Sequence, residues 1–600
     1  MLKILAIKSK YFLVLVLALA TFFRLWGLTK VPVSLFSDEI DVGYQAYSIF
    51  QTGKDYMGNP WPFHFQSYSD TRTPLYIYAA IPTVAIFGIS PLGVRLPAAI
   101  FGILGVWGMY LLVYELLSYH EHKSKNHHTP FTNHQTLALV AGAILALSPW
   151  HIQYSRAAFE VTMMLAFYLF GLYFFFRALK EGKYLWISSA LLLFTPWIYS
   201  TAKFFTPLLL FALLILWKKD LLLLGKRNLL KGAVAGLVIG VPIIISTIFG
   251  GGTSRFSYIS VFSDPTTKPE VDYARLLDAQ FRGQTTNVIP KVASRIVHNK
   301  STFWTEKIVN NVFSAVSADF LFVNGDTNLR HSIKGVGQFY WIESIALLLG
   351  LIYFFGYEDK RSLSLRDKRS LALRAKNIKY FIGLWLFFGI IPSAITRDGG
   401  NHATRLILIL PPLVFLIAYG IFESFSRIKS LSKLLILAYL IIWILEFGFY
   451  QHKYWVDNPW QTERQWHAGF YEAVEEIKNL EDGYEKIIIS DKYEPPKIFF
   501  AGFYQYPPEV WQKGYEKVSI PGFDYLERVG KFYFGHAGPI NIDNLSQYMD
   551  NKTLYVAAAN EVSVNLIREP EKTPPGLSLI KSIFLPSGEP IFYFFSKGGS

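Results

Sequence analysis

The stretch YFLVLVLALATFF, residues 11–23, is an unbroken apolar run with basic residues before it and an acidic pair after it. Lys3, Lys8 and Lys10 precede the run, and Ser37-Asp38-Glu39 follow it. Lysines before a first apolar run indicate a membrane helix whose N-terminus faces the cytoplasm. The acidic pair that follows this helix is then expected at the outer membrane face.

The composition extends this interpretation to the whole chain. Of 600 residues, 52% are apolar, 17% aromatic and only 17% charged. Such a chain is too hydrophobic for an ordinary soluble protein, and its apolar residues form runs suited to crossing about 30 Å of hydrocarbon. The net charge of +14 does not indicate nucleic-acid binding, because the basic residues cluster in short loops between these runs. The absence of cysteine excludes disulfides, thiolate zinc sites and cysteine nucleophiles.

Eleven apolar segments are predicted to span the membrane of a multi-pass plasma-membrane protein. They cover residues 11–28, 93–117, 136–150, 160–179, 184–199, 203–217, 229–249, 339–356, 379–395, 404–422 and 434–450. Leu75–Phe87 is short and contains Pro82, so we expect it to lie at the interface. With the N-terminus inside, the basic clusters then fall on the cytoplasmic side, as the positive-inside rule requires. These clusters are Lys123 and Lys125, Lys180 and Lys183, Lys218 to Arg227, Lys360 to Lys379, and Arg427 to Lys433.

This topology divides the chain into a membrane domain, residues 1–450, and an extracytoplasmic domain, residues 451–600. The membrane domain has outer loops at 29–92 and 250–338, and the second loop begins with Gly250-Gly251-Gly252. A loop of this length is expected to fold as part of a site.

The pattern changes to that of a small α/β domain after the last predicted span. Residues 465–480 have helical spacing, and Lys486–Ser490 and Thr553–Ala557 are typical of buried strands. The apolar run Pro590–Phe595 is predicted to be an edge strand.

Ionisable residues gather at the outer ends of the predicted spans, where such groups usually face an aqueous cavity. Singly, each has a structural explanation: Arg95 or Arg405 could anchor a helix end, and Asp38 could cap the helix predicted over Ile40–Phe50. Together they predict an outer-face pocket with carboxylates suited to taking a proton from a hydroxyl and cations suited to a phosphate. The set comprises Asp38, Glu39, Arg72, Arg95, Arg156, Glu160, Lys203, Arg397, Asp398, His402 and Arg405.

Several of these residues lie in recognisable motifs. The motifs are Phe36-Ser-Asp-Glu39 with Tyr44, Thr73-Pro-Leu-Tyr-Ile-Tyr78, Val94-Arg-Leu-Pro-Ala-Ala-Ile-Phe-Gly102, and Ser148-Pro-Trp-His-Ile-Gln-Tyr-Ser-Arg156 with Phe159-Glu160. Together they resemble GT-C glycosyltransferases of the protein O-mannosyltransferase and lipid A aminoarabinose transferase type. Tyr199 to Pro207, Gly325-Asp-Thr-Asn-Leu-Arg-His331 and Gly400-Asn-His-Ala-Thr-Arg405 resemble patterns of the bacterial members. The resemblance covers about residues 10–450, and no motif in the C-terminal domain suggests a family.

The resemblance implies a polyprenyl-phosphate sugar as donor, with hexoses such as mannose among the candidates, and inversion at the anomeric carbon. Asp38 would be the general base, with Glu39 and Glu160 orienting the acceptor or supporting Asp38. The expected phosphate-binding cations are Lys203 and Arg405, with Arg72 and Arg156 as further candidates. Additional site candidates are Arg95, Tyr44, Asp326, Arg330, His331 and His402.

The cofactor and acceptor follow less directly from the resemblance. Aminoarabinose transferases carry an acid and a lysine before Pro-Pro-Leu, where this chain has Thr71-Arg72-Thr73 before Pro74. This departure counts against a metal at this motif and against lipid A as acceptor. No cofactor is expected to be required; a divalent metal is left open but is not indicated. The hydroxyl acceptor is left open among protein, glycolipid and wall polymer.

Two other functions fit a polytopic membrane protein. A lipid or polysaccharide transporter would tend to show internal repeats and helices broken at mid-membrane, and the sequence has no evident repeat. An oligosaccharyltransferase-type enzyme would use a diphosphate donor and usually a divalent metal.

Overall fold

The structure is a computed structural model that describes residues 9–68, 71–121, 134–249, 254–284, 291–356, 365–427, 432–538 and 542–598. It is a polytopic α-helical protein with a C-terminal domain built on a β-sheet. Several features named above lie outside the described residues: Lys3 and Lys8, the lysines at 123 and 125, the glycines at 250–252, the start of the 360–379 run, and Lys429.

Each predicted span coincides with a helix. These helices are Ser9–Leu25, Pro91–Glu121, His134–Leu147, Glu160–Glu181, Leu185–Ile198, Ala202–Leu216, Lys226–Phe249, Trp341–Gly356, Leu365–Ala394, Leu410–Arg427 and Ser432–His452. Within the described ranges six helices are long and apolar enough to cross a membrane, or seven with one bent pair. Leu185–Ile198 has 14 residues and Ala202–Leu216 has 15, fewer than the roughly 20 of a full span. The count of eleven therefore stays a prediction.

The bent pair consists of His134–Leu147 and Pro149–Ser155, which meet at 59°. Pro149 lacks the N–H that would continue the first helix, and Ser148 accepts the N–H of His151 to begin the second. After the bend, the short helix Pro149–Ser155 leads to the start of Glu160–Glu181.

Two glycines allow the helices Trp341–Gly356 and Leu410–Arg427 to pack closely against each other. A Cβ on Gly420 would lie 1.9 Å from the carbonyl oxygen of Ala346, and one on Gly350 would lie 2.0 Å from that of Leu416. Only glycine permits this approach of Trp341–Gly356 to Leu410–Arg427. The segment Ala403–Arg427 is the most enclosed of the long helices, with 94% of its apolar window buried.

Short elements connect the long helices. They are the helices Ser37–Thr52, Leu75–Phe87, Ser254–Ile259, Thr267–Gln284, Lys291–Val297, Lys300–Ala315 and Ala403–Leu406, the π-helix Asp319–Val323, and the strands β1 (Phe65–Gln66) and β2 (Thr71–Arg72). The two strands form an antiparallel ribbon in which Phe65 lies opposite Arg72. This ribbon and the start of Ser37–Thr52 carry much of the candidate site.

The C-terminal domain contains a seven-stranded sheet in the order β4-β5-β6-β3-β7-β9-β8. Its strands are β3 (Lys486–Ile489), β4 (Glu516–Val518), β5 (Phe523–Val529), β6 (Phe532–Ala537), β7 (Thr553–Ala558), β8 (Leu577–Phe584) and β9 (Pro590–Lys597). The central β3 is parallel to both β6 and β7. The predictions of strands at β3 and β7 are confirmed. The prediction of an edge strand at Pro590–Phe595 was wrong, because β8 pairs along β9 and occupies the edge.

The C-terminal domain packs directly on the helix Ser37–Thr52. The helix Lys497–Tyr504 contacts Ser37–Thr52 so closely that a Cβ on Gly502 would lie 2.6 Å from Ile40. Gln512 donates hydrogen bonds to the hydroxyls of Ser48 and Thr52, at 3.1 and 3.0 Å. These contacts hold the helix that begins with Asp38.

Candidate functional site

One guanidinium gathers three carboxylates, two of which lie in the first turns of the helices Ser37–Thr52 and Glu160–Glu181. Arg72 Nη2 lies 2.6 Å from Asp38 Oδ1, and Arg72 Nε lies 2.5 Å from Asp41 Oδ2. Its remaining terminal nitrogen lies 3.4 Å from Glu160 Oε1. Asp38 and Asp41 share one face of Ser37–Thr52 because residues three apart on a helix are neighbours. We call these four residues the Arg72 cluster.

The members of the Arg72 cluster differ in exposure. The side chain of Asp38 is 55% exposed, that of Glu160 16% and that of Asp41 3%. Burial lowers the pKa of Arg72, but the carboxylates of Asp38, Asp41 and Glu160 outweigh it, so the pKa is raised well above its usual value. The guanidinium therefore stays charged and holds Asp38, the most open carboxylate of the cluster, in one orientation.

Asp41 was missed by the sequence analysis. It accepts the hydroxyl of Tyr56 at 2.7 Å and that of Ser67 at 3.1 Å. Burial raises its pKa, while Arg72 opposes that rise. Its spacing of three from Asp38 on a predicted helix was the available signal.

Glu39 has different surroundings from its neighbour Asp38. Arg95 Nε and Nη2 donate to the two oxygens of Glu39, each at 2.8 Å, and neither side chain is exposed. Glu39 also accepts the N–H of Ala158 at 2.9 Å. Arg95 further donates to the carbonyls of Pro32 and Ser34. This pair ties the first outer loop to the second long helix and to the segment before Glu160.

Arg156 is a second buried arginine that links separate segments of the chain. Its five N–H donors meet five acceptors inside the protein: the carbonyls of Phe23, Trp26, Gly27 and Val31 and the hydroxyl of Tyr454. The guanidinium also lies over the ring of Trp455. A guanidinium has five donors, so Arg156 has none left for a phosphate in this arrangement.

Tyr44 connects the site to the C-terminal domain. It is buried, and its hydroxyl donates to the carbonyl of Tyr506 at 2.9 Å. Ser37 makes a similar connection, since its backbone N–H donates to Nδ1 of His467 at 3.3 Å. Residues on either side of Asp38 are thus held by the second domain.

Lys203 lies beside the β1–β2 ribbon. Its Nζ is 3.4 Å from Nε2 of His64, and the hydroxyl of Ser246 is 2.6 Å from Nδ1 of the same ring. Burial, with a further contribution from Lys203, lowers the pKa of His64 to about 4. His64 precedes Phe65, the ribbon partner of Arg72, so Lys203 lies near the Arg72 cluster. His64 was also missed by the sequence analysis.

Arg405 keeps part of its guanidinium available. Nη1 donates to Asp398 at 2.8 Å and to the hydroxyl of Thr396 at 2.7 Å. Burial opposes the ionisation of Asp398, but Arg405 outweighs it and the pKa of Asp398 is lowered. Both hydrogen bonds leave from one nitrogen, unlike the fully engaged donors of Arg156.

Asp326, His331 and His402 come together next to these residues. Their potential ligand atoms all lie within 4.8 Å of one another. Burial raises the pKa of Asp326 to about 6. His331 packs against the ring of Phe159 at 5.2 Å, and Phe159 precedes Glu160. This group therefore borders the Arg72 cluster.

Arg330 reaches the segment that leads to Asp38. Its guanidinium lies 5.0 Å from the ring centre of Phe36, and Phe36 in turn packs on Phe159. The structure thus brings most sequence-predicted site residues close together. Glu39, Arg95, Arg156 and Tyr44 are buried within this region.

The structure resembles two kinds of solved membrane enzyme. It matches ArnT from Cupriavidus metallidurans bound to undecaprenyl phosphate over 97% of both chains, with 10% identity and a TM-score of 0.46. It matches the Archaeoglobus fulgidus oligosaccharyltransferase in complex with Zn and sulfate with 14% identity and a TM-score of 0.44. That match covers 82% of this chain and 61% of the archaeal one. No family model and no curated protein matches the sequence.

Proposed function

We propose that the protein is an inverting membrane glycosyltransferase that moves a sugar from a polyprenyl phosphate to a hydroxyl acceptor at the extracytoplasmic face. The observation that carries the proposal is the contact of Arg72 with the half-exposed Asp38. A carboxylate that is open on one side and fixed on the other is suited to take a proton from a bound hydroxyl. Its place at the ends of apolar helices suits a donor whose lipid stays in the bilayer.

In the proposed reaction, Asp38 accepts the proton of the acceptor hydroxyl as that oxygen attacks the anomeric carbon. The bond from the acceptor oxygen to this carbon forms while the bond from the carbon to the phosphate oxygen breaks. The electron pair of the broken bond leaves with the polyprenyl phosphate. Attack from the opposite face inverts the anomeric centre. Glu160, held by the same guanidinium, is assigned to orient the acceptor.

The leaving phosphate needs nearby cations rather than a strong acid, because it departs as a stable anion. We assign Lys203 and Arg405 to this role. Arg405 has Nε and Nη2 free of the bonds that Nη1 makes. Arg72 is left out because three carboxylates surround it, and Arg156 because its donors are satisfied inside the protein.

Glu39 is assigned a positioning role. Its carboxylate is buried against Arg95 and the backbone, so neither oxygen is open to an acceptor. The pair fixes the loop in front of Ser37–Thr52 and thereby the direction of Asp38.

The experiment that tests this function offers polyprenyl-phosphate sugars to the purified protein in liposomes. Undecaprenyl-phosphate hexoses, mannose among them, are paired with a hydroxyl peptide, a glycolipid or a wall-polymer fragment. We expect transfer with release of undecaprenyl phosphate and an inverted linkage. Release of a diphosphate from a diphosphate-linked donor alone would favour the oligosaccharyltransferase alternative. Movement of the lipid across the bilayer without bond cleavage would favour a transporter.

A further inference from the structure

Asp326, His331 and His402 form a set of ligands typical of a metal site. One carboxylate and two imidazoles have their ligand atoms within 4.8 Å of one another. Tetrahedral bonds of about 2.0–2.1 Å would separate ligand atoms by about 3.3 Å. Small rotations of the side chains therefore suffice to close the group around one ion.

The three residues come from two loops that are joined at this point. Asp326 accepts the backbone N–H of Ala403 at 2.8 Å, and its other oxygen accepts that of Asn328 at 2.8 Å. His402 immediately precedes Ala403. The hydrogen bond to Ala403 thus fixes the carboxylate from the 250–338 loop beside the imidazole from the second loop.

A second hydrogen-bond chain orients His331. Its Nδ1 lies 3.1 Å from the hydroxyl oxygen of Thr404, which lies 2.7 Å from the hydroxyl oxygen of Tyr154. In metal sites the outward nitrogen of a histidine ligand usually makes such a bond, which sets the tautomer and the ring direction. Nε2 is then the coordinating nitrogen of His331.

The three candidate ligands lie close to the residues assigned to the proposed reaction. Arg405 directly follows Thr404, whose hydroxyl oxygen lies 3.1 Å from His331 Nδ1, and Glu160 of the Arg72 cluster directly follows Phe159, whose ring packs on His331. A divalent ion held by a single carboxylate keeps excess positive charge and favours an added anionic ligand. The donor phosphate, which the proposed function brings between Asp38 and Arg405, is such an anion.

We propose that Asp326, His331 and His402 bind one divalent transition-metal ion and that this ion contacts the phosphate of the donor. Two imidazoles and a carboxylate favour an ion such as Zn²⁺ over Mg²⁺ or Ca²⁺, which prefer oxygen ligands. The contact with the phosphate rests on the proposed function, whereas the metal site itself does not. From the sequence no cofactor was expected to be required, and a divalent metal was left open.

Direct metal binding tests the site without any measurement of activity. The full-length protein is stripped with a chelator, dialysed and titrated with Zn²⁺, with Co²⁺ as a spectroscopic probe. We expect one ion per chain and a Co²⁺ absorption band that shows histidine ligands. His402→Gln and Asp326→Asn should each lose this binding, while thermal unfolding confirms that they fold. His452→Gln removes an exposed histidine (65% side-chain exposure) outside the group and should bind as the parent does.

The results of these titrations distinguish the existence of the metal site from its contact with the donor phosphate. Absence of stoichiometric binding in the parent, or equal binding in His402→Gln, would overturn the site and leave the group as a link between two loops. A second titration in the presence of undecaprenyl phosphate should raise the Zn²⁺ affinity of the parent at least tenfold. If Zn²⁺ binds but the lipid phosphate leaves its affinity unchanged, the contact with the donor is overturned. Failure of sugar transfer would instead count against the proposed function.

Discussion

Glu39 and Arg95 form a two-point ion pair, Nε to Oε1 and Nη2 to Oε2 at 2.8 Å each, in which neither side chain is exposed. Asp38, the preceding residue, is 55% exposed. Consecutive residues on a helix point about 100° apart, from 3.6 residues per turn. The buried pair on one side of the first turn therefore directs Asp38 to the other, where the proposed acceptor binds.

Asp38→Asn should abolish most turnover while the protein still folds and binds donor. The substitution removes the proton acceptor and changes the volume little, and loss of a general base costs about 10²–10⁴ in rate. The measurement is kcat in the liposome assay, with donor binding and thermal unfolding recorded on the same preparation. Asp457→Asn, which makes the same change at a 37% exposed aspartate outside the Arg72 cluster, is the matched control. Parent-like turnover in a folded Asp38→Asn protein would remove Asp38 from the role of base.

The buried Glu39–Arg95 pair is expected to contribute to stability. Arg95→Gln should leave Glu39 as a buried carboxylate without its cation, and breaking such a pair costs about 3–5 kcal/mol. We expect a clear fall in the thermal midpoint in detergent, larger than that of Arg397→Gln, whose guanidinium is 40% exposed. Equal shifts in the two variants would show that the Glu39–Arg95 pair does not hold the outer loop.

The sequence allowed the helices and the region of the site to be predicted, because apolar runs and basic clusters report directly on membrane crossing. Asp38, Glu160 and Arg72 were all named from their positions, and the structure places them on one guanidinium. What the sequence could not distinguish was exposure. Arg156 and Arg405 are both arginines at the outer end of a predicted span, and only their surroundings show that one has its donors satisfied by backbone carbonyls.

Contacts between residues far apart in the chain could not be predicted from the sequence either. His64 lies in a short ribbon without a distinctive pattern, and its contact with Lys203 joins residues 139 apart in the chain. The position of β9 inside the sheet depends on β8, whose partly exposed side chains gave no clear strand signal.

The pKa of His64 predicts a dependence of stability on acid. Burial, aided by Lys203, lowers this pKa to about 4 in the folded protein, against about 6.5 in an unfolded chain. A depressed pKa means that the neutral ring stabilises the fold above about pH 6.5 and that this contribution is lost as the pH falls towards 4. Thermal midpoints of the parent and His64→Gln, measured from pH 7 to pH 4.5, should show the parent losing stability faster. His452→Gln is the control, and parallel curves for the parent and His64→Gln would contradict the assignment.

The eleven-span topology is open to a labelling test. A cysteine at Lys183 should react only with a reagent on the cytoplasmic side, and one at Lys517 only from outside. Both side chains are exposed, and the chain has no native cysteine to give background labelling. Labelling of both positions from the same side would show that the number of spans between them is even, and one of the helices between them, such as the short Leu185–Ile198 or Ala202–Leu216, would have to be reassigned.

Arg405 and Lys203 are predicted to bind the donor phosphate from two sides of the site. Each lies at the outer end of a long apolar segment, where a polyprenyl phosphate would present its headgroup. Arg405 retains Nε and Nη2 beyond its bonds to Asp398 and Thr396. Loss of a charge-assisted hydrogen bond costs about 1.5–3 kcal/mol, which corresponds to roughly 10- to 100-fold in affinity. We therefore expect Arg405→Gln and Lys203→Gln to raise the KM for donor by that factor, with the KM for acceptor nearly unchanged.

Arg397→Gln is the matched control for this prediction. Arg397 lies in the same loop as Arg405 but pairs with Asp264 at 3.4 Å, so its removal makes the same change of charge without removing a proposed phosphate ligand. A general electrostatic effect of the loop would raise the donor KM equally in Arg397→Gln and Arg405→Gln, and high salt would reduce both effects together. A direct contact affects Arg405→Gln alone. If donor titrations of Arg405→Gln and Lys203→Gln both follow the parent, these cations only hold their helices in place, and the charge of the leaving phosphate must be met by another group at the site.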